Sequence, residues 1–532
     1  MQTVSSSFTT KTAQRLRKID ARVLISFLKD YDPAVDFFTI GVSTIGSTDI
    51  LKGDSTVLQE WDKYSYDDFS GRILSIEIDR EADPPLNQIS IAHASILLDN
   101  TDDIFTPGNA SSPYDGYLIP KRPVRINVGF GADTVSRFVG ITEAAPEIDE
   151  VAKTARFRCV DFLGSILNQP LDEDLLLVDN RSDEAIQTLL EGAGLSATQF
   201  DLDTGSVIIP FVYFKKGMKR GDALTEIAEA ELGNISMSEA GRIRFQARQN
   251  WNSNTNVWTF DESNTYERRS FANNSVINVV EVYANARAVQ DNQLVWQANS
   301  PVAFSDGTTS LKPGETKFVF ADFQDDDGEL PVTAVDTPVA IVSAVTSSFE
   351  ANTLEDGTGT DISTDISVDS VDLFSTSVKL TFTNGGASEA FFLSIRIFGT
   401  PARVVSRIYE RVADSASIGT FDGQDEQPYK IENNLIQDST AANTIGQIVV
   451  DDRATDNDQQ VLVVKAVPQL QIGDVITFET RDVSEQYFVT RINDIISTQS
   501  GYRQTLQVSK RTINTYFRIG ISAIGGADVL GP

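Results

Sequence analysis

The side chains with the greatest chemical capacity in this sequence are carboxylates. Asp99, Asp102 and Asp103 fall in one short polar stretch, and Asp325, Asp326 and Asp327 run straight into Gly328. Oxygen donors at that density could ligate calcium, but neither run has the spacing of a known calcium loop, so each reads as a solvated turn. Two carboxylates facing each other across a cleft could cut a glycosidic bond, one as acid and one as base or nucleophile. In a chain with 76 acidic residues such pairs are unavoidable and single out no position. The one histidine, His93, has no second imidazole with which to hold zinc, which leaves it a structural role. The one cysteine, Cys159, has no disulfide partner and reads as a small buried apolar residue between Arg158 and Val160. No Walker phosphate loop, dinucleotide fingerprint, Gly-x-Ser-x-Gly elbow or His-Glu-x-x-His appears. No catalytic, cofactor-binding or metal-ligating residue is assigned, no cofactor is expected, and the chain reads as a non-enzyme.

The elements that would position these residues are mostly strands. Ile89 to Leu98 alternates apolar and polar residues, and Asp99 to Asp103 then breaks the alternation with side chains that bond their own backbone. Turn dipeptides follow at Pro107-Gly108, Ser112-Pro113 and Asp115-Gly116. Strands resume at Val124 to Phe130, Phe138 to Thr142 and Thr154 to Asp161, which together suggest one antiparallel barrel or rolled sheet. Upstream, Gly71 to Ile78 alternates clearly, Tyr31 to Lys63 has no steady period, and Arg22 to Leu28 is a strand preceded by a short basic helix over Thr10 to Asp20.

This ordered series resembles the hub, or minor tail, proteins of long-tailed bacteriophages. The phrases that carry the resemblance are LDNTDDIFTP (98–107), RPVRINVGF (122–130), RFVGIT (137–142) and RFRCVDFLGSIL (156–167). The resemblance implies the fold shared by contractile-phage baseplate hubs and the type VI secretion spike: mainly β, with a small α/β module, two hub-type β-barrels and, in this chain, an inserted β-sandwich.

The rest of the chain is compatible with that order. Ser182 reads as an N-cap before the apolar face Ala185, Ile186, Leu189 and Leu190, and Val207 to Phe214 is a strand. A helix from Asp222 to Leu232 ends at Gly233, and Ile235 to Met237 forms a hairpin with Arg242 to Ala247 about the Glu239-Ala240-Gly241 turn. Val276 to Ala284 resembles the start of the second hub barrel. Thr, Ser, Asp and Gly then dominate from about Ser300 to Thr400, with strands expected at Lys317 to Phe323, Val339 to Thr346, Val378 to Thr383 and Phe391 to Phe398. After Pro401 come a helix from Thr440 to Asp452 and strands at Gln460 to Val467, Tyr487 to Asn493 and through YRQTLQVSKR (502–511). Leu470, Gly473, Asp474 and Val475 carry a phrase that resembles a recurring feature of the second barrel, where Gly473-Asp474 marks a turn without chemistry. The expected units are an N-terminal arm, 1–30; a first barrel, 31–170; an α/β domain, 171–255; a second barrel, 256–300 with 402–512; the inserted sandwich, 301–401; and a C-terminal arm, 513–532.

Net charge is −32, from 44 basic against 76 acidic residues, so the surface repels phosphate backbones. An acidic channel would let DNA pass without sticking; equally, the excess carboxylates could simply keep a large assembly soluble. No run approaches the ~18 apolar residues of a membrane span, and the N-terminus lacks a secretory h-region, so neither membrane insertion nor ordinary export is expected. The resemblance implies a structural virion protein of the tail tip, assembled in the host cytoplasm. Three copies would form a homotrimeric ring matching the hexameric tail tube, with tail-tube, tape-measure and tip or fibre proteins as partners and DNA in transient passage. The inserted sandwich would meet a neighbouring tip protein or a host glycan. The competing reading is a β-sandwich adhesin or carbohydrate-binding protein.

Overall fold

This computed structural model describes residues 1–14, 19–27, 64–82, 89–248, 256–271, 276–325, 328–340, 343–420, 426–454, 459–480, 484–499 and 501–510. The expected irregular run 31–63, the C-terminal arm 513–532, and Asp326 and Asp327 lie outside the described residues.

Alternation builds the first unit. In strand Thr154–Asp161, Ala155, Phe157, Cys159 and Asp161 are buried while Arg156 and Arg158 face solvent. That strand lies within an antiparallel run whose spatial order is Ile73–Glu81, His93–Asp99, Thr154–Asp161, Asp133–Thr142, Pro123–Phe130, Asp20–Ile25. Their inward side chains share a core with Phe69, Phe105 and Tyr114, and Phe105 meets Phe157 edge-on at 5.4 Å between ring centres. The N-terminal helix is Ser6–Ala13, four residues earlier than the expected start at Thr10. Ser5 fixes it, because its hydroxyl accepts the Phe8 N–H at 3.0 Å and Phe8 then packs on Phe130. Asp20, expected to end that helix, begins a strand instead.

A second group holds Asn256–Asp261, Thr265–Phe271, Gln459–Lys465, Val475–Glu479, Ser484–Ser497 and Gly501–Ser509, around Phe260, Leu462, Tyr487, Ile492 and Leu506. The two groups are one continuous sheet. Ile73–Glu81 pairs antiparallel with the end of Ser484–Ser497, in register from Ser75 opposite Ser497 to Glu81 opposite Arg491. In each group the outermost strands come close along the chain: Asn256–Asp261 is followed directly by Thr265–Phe271, and Asp67–Asp68, paired with the end of Asp20–Ile25, leads through Ser70–Arg72 into Ile73–Glu81. Among the described residues no ladder closes either group, named the first and the second roll in chain order, into a barrel.

The α/β module differs from expectation in two ways. Ser182 is not the cap of helix Ser182–Glu191; Arg181 is, with its N–H donated to Glu184 Oε2 at 3.0 Å. Ser182 is buried and donates its hydroxyl to Glu231 Oε2 at 3.0 Å, and Glu231 also accepts the Val207 N–H at 2.9 Å. Helix Arg220–Glu231 ends in a left-handed Leu232, one residue before the expected Gly233. The module also extends further along the chain. Strand Val279–Val289, the last part of strand Ala390–Ala413, and helix Ser439–Arg453 were expected with the second barrel. Their Val280, Val282, Ile408, Val412, Ile445 and Val449 instead pack in the same core as Ile186, Leu189, Leu224 and Ile227. Strand Val279–Val289 pairs with Ala402 to Ala413, not with any strand of the second roll, and that ladder gives it a different neighbour to pack on.

Residues beyond Val289 build two further sheets that share one core. Gln293–Asn299, Val332–Val335 and Ser348–Asn352 pair with the first part of Ala390–Ala413, and Thr316–Asp322, Ser377–Asn384 and Ile366–Leu373 form a three-stranded sheet. Phe349, Phe382 and Phe392 meet between them. The strand expected over Val339 to Thr346 begins later, at Ser348, because Ser343 to Ser347 is turned back on itself: the Ser343 N–H is donated to the Ser348 hydroxyl and Ser347 holds Phe398. Strand Ala390–Ala413 spans 24 residues and belongs to both this unit and the α/β module. A small polar seam joins the two elsewhere, where Tyr213 donates to Glu329 at 3.1 Å, Lys215 pairs with Glu329 at 2.7 Å and Thr376 donates to Asp174 at 2.5 Å.

Candidate functional site

The most densely bonded polar site lies where the two rolls and the α/β module meet. Arg137 comes from strand Asp133–Thr142 of the first roll, Asp494 from the bridging strand Ser484–Ser497, Arg80 from its partner Ile73–Glu81, and Glu239 from the turn after Asn234–Met237. Arg137 and Asp494 are fully buried, and Arg80 and Glu239 are nearly so. Arg137 donates from Nη2 to Asp494 Oδ2 at 2.7 Å and from Nη1 to the carbonyls of Pro468 at 2.6 Å and Leu470 at 2.7 Å. Arg80 Nη2 reaches the same Asp494 oxygen at 3.2 Å, while its Nη1 pairs with Glu239. Tyr502 and Gln504 donate to the other Asp494 oxygen, each at 2.8 Å, and Gln471 donates to Glu239 at 2.6 Å.

Electrostatics follow from this packing. Burial alone would raise the Asp494 carboxyl, but Arg137 and Arg80 outweigh it and hold the group below the usual carboxylate range; Glu239 is lowered in the same way, with Arg80 the leading cation. Burial drives the Tyr502 phenol far upward, helped by Asp494, so it stays a hydrogen-bond donor. With its partners present the cluster is a lock: the paired cations and anions are held by further hydrogen bonds.

Beside it opens a small cleft bordered by Arg80, Ser90, Asp161, Glu239, Arg244 and Gln246. Asp161 has the chemistry of a proton carrier, since burial pushes its carboxyl up to about 7. Its oxygens are occupied, however, by the Ala92 N–H at 2.6 Å and the Leu163 N–H at 3.1 Å, which makes it the clamp that starts the short helix Leu163–Leu167.

The acidic run of the sequence is dispersed rather than gathered. Asp102 accepts two bonds from Arg72, at 2.9 and 2.7 Å, Asp103 pairs with Lys153 at 3.0 Å, and Asp99 holds the Thr101 N–H at 3.2 Å. Among the described residues no group of three His, Cys, Asp or Glu is arranged to hold a metal ion. His93 is exposed, 3.8 Å from Glu143, and Cys159 is buried, its thiol pushed up by that burial. Asp474, read as a simple turn residue, is buried and takes both the Met1 amino group and the Gln471 N–H, the latter at 2.8 Å. Sequence reasoning missed Arg80, Arg137, Glu239 and Asp494. One signal was available: Asp494 shares a face with Ile492 and Ile496, and a charge on an inward face requires a partner; Arg137 gave none, because it sits at a bulge in its strand.

No family profile matches the chain, and no curated protein does. Solved structures do match. The 43 kDa tail protein of prophage MuSo2 from Shewanella oneidensis is 9% identical, with 92% of this chain and 98% of that one covered at a TM-score of 0.44. A tail protein from Neisseria meningitidis MC58 is 8% identical over 84% and 94% of the two chains, TM-score 0.45. The similarity is to tail proteins. A type VI secretion component of E. coli, described as structurally similar to the phage T4 tail proteins gp27 and gp5, is 7% identical over 83% and 74%, TM-score 0.35.

Proposed function

We propose that this chain is a structural protein of a phage tail tip or baseplate: a trimeric hub that joins the hexameric tail tube to the tip and surrounds the channel through which tape measure and DNA leave. The observation that carries the reading is the pair of rolls joined edge to edge on one 14-stranded sheet. A subunit with two similar rolls meets both symmetries at once, since three copies in a closed ring offer six rolls to the tube and threefold symmetry to the tip. The ordered tail-protein phrases from Leu98 to Leu167 support the same assignment. In this reading each roll acts as a barrel, the two-sheet unit between Gln293 and Phe398 acts as a sandwich projecting from the ring, and the α/β module, enlarged by 279–289, 402–413 and 428–454, forms the body between them. The buried Arg137–Asp494 cluster keeps the two rolls at one fixed setting, as a ring of fixed bore requires.

Light scattering of the purified chain tests this. A trimer of 58.2 kDa subunits at micromolar concentration, or on addition of the tail-tube protein, is the expected result. A monomer under both conditions, with antibody gold along the shaft or head of virions instead of the distal end, would overturn it.

A further inference from the structure

The outer face of the three-stranded sheet in the inserted unit sets exposed aromatic rings beside polar side chains held in place. Strand Thr316–Asp322 turns Phe318 and Phe320 outward, while Val319 and Ala321 point to the core. Opposite them, Lys379 and Thr381 project from Ser377–Asn384, and Ser370 and Asp372 from Ile366–Leu373. The rows align: Phe320, Lys379 and Asp372 in one, Phe318, Thr381 and Ser370 in the next. Phe320 is 52% exposed and meets Phe318 edge-on at 5.5 Å. Lys379 lies 4.9 Å over the Phe318 ring and 3.9 Å from Asp372, so its ammonium is held in place on the face. Ser370 donates to Thr381 at 3.0 Å, and Thr383 donates to Asp369 beside it.

We propose that this face binds a neutral glycan, a chain of hexose or N-acetylhexosamine units. This rests on the reading of the chain as a tail protein whose inserted unit projects outward. An exposed aromatic ring offers its negative face to the C–H groups of a sugar ring, and the flanking Lys, Asp, Ser and Thr supply donors and acceptors at fixed positions for its hydroxyls. Charge excludes the acidic alternatives: Asp322, Asp369 and Asp372 surround a single lysine on a chain of net charge −32, which repels anionic polymers. Size argues against a protein. A sheet of three strands and seven or eight residues spans roughly 20 Å by 15 Å, on the order of 300 Å² and well short of the ~800 Å² per partner of a stable protein interface; a short oligosaccharide covers it.

Saturation-transfer NMR on the full chain, with cellohexaose, maltohexaose and chitohexaose as probes and a hyaluronate hexamer as the anionic control, tests this. Transfer to at least one neutral hexamer and none to hyaluronate is expected, with affinity at least tenfold weaker in both Phe320→Ala and Lys379→Ala while circular dichroism stays native. Absence of transfer to all three neutral probes, transfer only to hyaluronate, or unchanged binding in Phe320→Ala would overturn the proposal. So would a fall in oligomer mass in Phe320→Ala, which would make the face a subunit contact. The mass of the wild-type chain without sugar tests the hub reading separately, so the two can fail independently.

Discussion

Two of the charged contacts between units of this molecule work in opposite ways. At the junction of the rolls, Arg137 and Asp494 are entirely out of water and both oxygens of the aspartate are used. At the seam between the inserted unit and the α/β module, Lys215 and Glu329 are 63% and 37% exposed. Pairs in water contribute little, because solvent and salt screen them and long side chains lose entropy on meeting. A buried pair contributes little net stability either, yet removing one member strands the other without solvent, which costs far more than the pair contributes. The junction is therefore specified by the penalty for breaking it, and the seam is held only weakly.

Four variants, one of them read by pH titration, sharpen this contrast. Asp494→Ala should have the largest effect, a loss of about 3–5 kcal/mol, because Arg137 and Arg80 are left facing each other in the interior; denaturant melts measure it. Arg137→Met with Asp494→Leu should recover most of that loss, and a double variant no more stable than Asp494→Ala would show that the cluster is more than a matched charge pair.

pH should separate the junction from the cleft beside it. Asp494 and Glu239 are held below their usual range, so their contribution is present above about pH 4 and is lost as pH falls through their lowered values. Asp161 acts in the opposite sense: burial raises it to about 7, so its contribution is complete below about pH 4 and is lost as pH rises toward 7. Melting temperature across pH 3 to 8 should lose its upper slope in Asp161→Asn and keep its acid limb; an unchanged upper slope would remove Asp161 as its source.

The smallest effect is expected at the seam. Lys215→Ala should cost no more than about 1 kcal/mol, less at high salt. Hydrogen exchange that rises in the inserted unit but not in the rolls would confirm that the seam is local, and a global loss of protection would break the contrast.

Local alternation made most of the strands legible, and Thr154–Asp161 lies where its pattern places it. What alternation cannot report is which strand lies beside which. Arg137 and Asp494 are 357 positions apart, and the expected strand began only at Phe138 because Asp133, Thr134, Ser136 and Arg137 look like loop residues when their partners are unknown. Val279–Val289 shows the same limit from the other side. Its apolar spacing marked a strand, but nothing in its own residues says that helix Ser439–Arg453, rather than the second roll, covers it. Sheet partners and the third dimension of a charge network are properties of pairs, and a single sequence displays only their members.

Strand Ala390–Ala413 has a mechanical consequence. Its 24 residues amount to roughly 80 Å of extended backbone, with one end ladder-bonded inside the inserted unit and the other beside Val279–Val289 in the α/β module. A pull on the inserted unit thus loads covalent bonds and the ladders on this strand instead of taking up slack in a tether. Once the weak seam yields, displacement of the inserted unit arrives at the α/β module as tension along a single stiff cord.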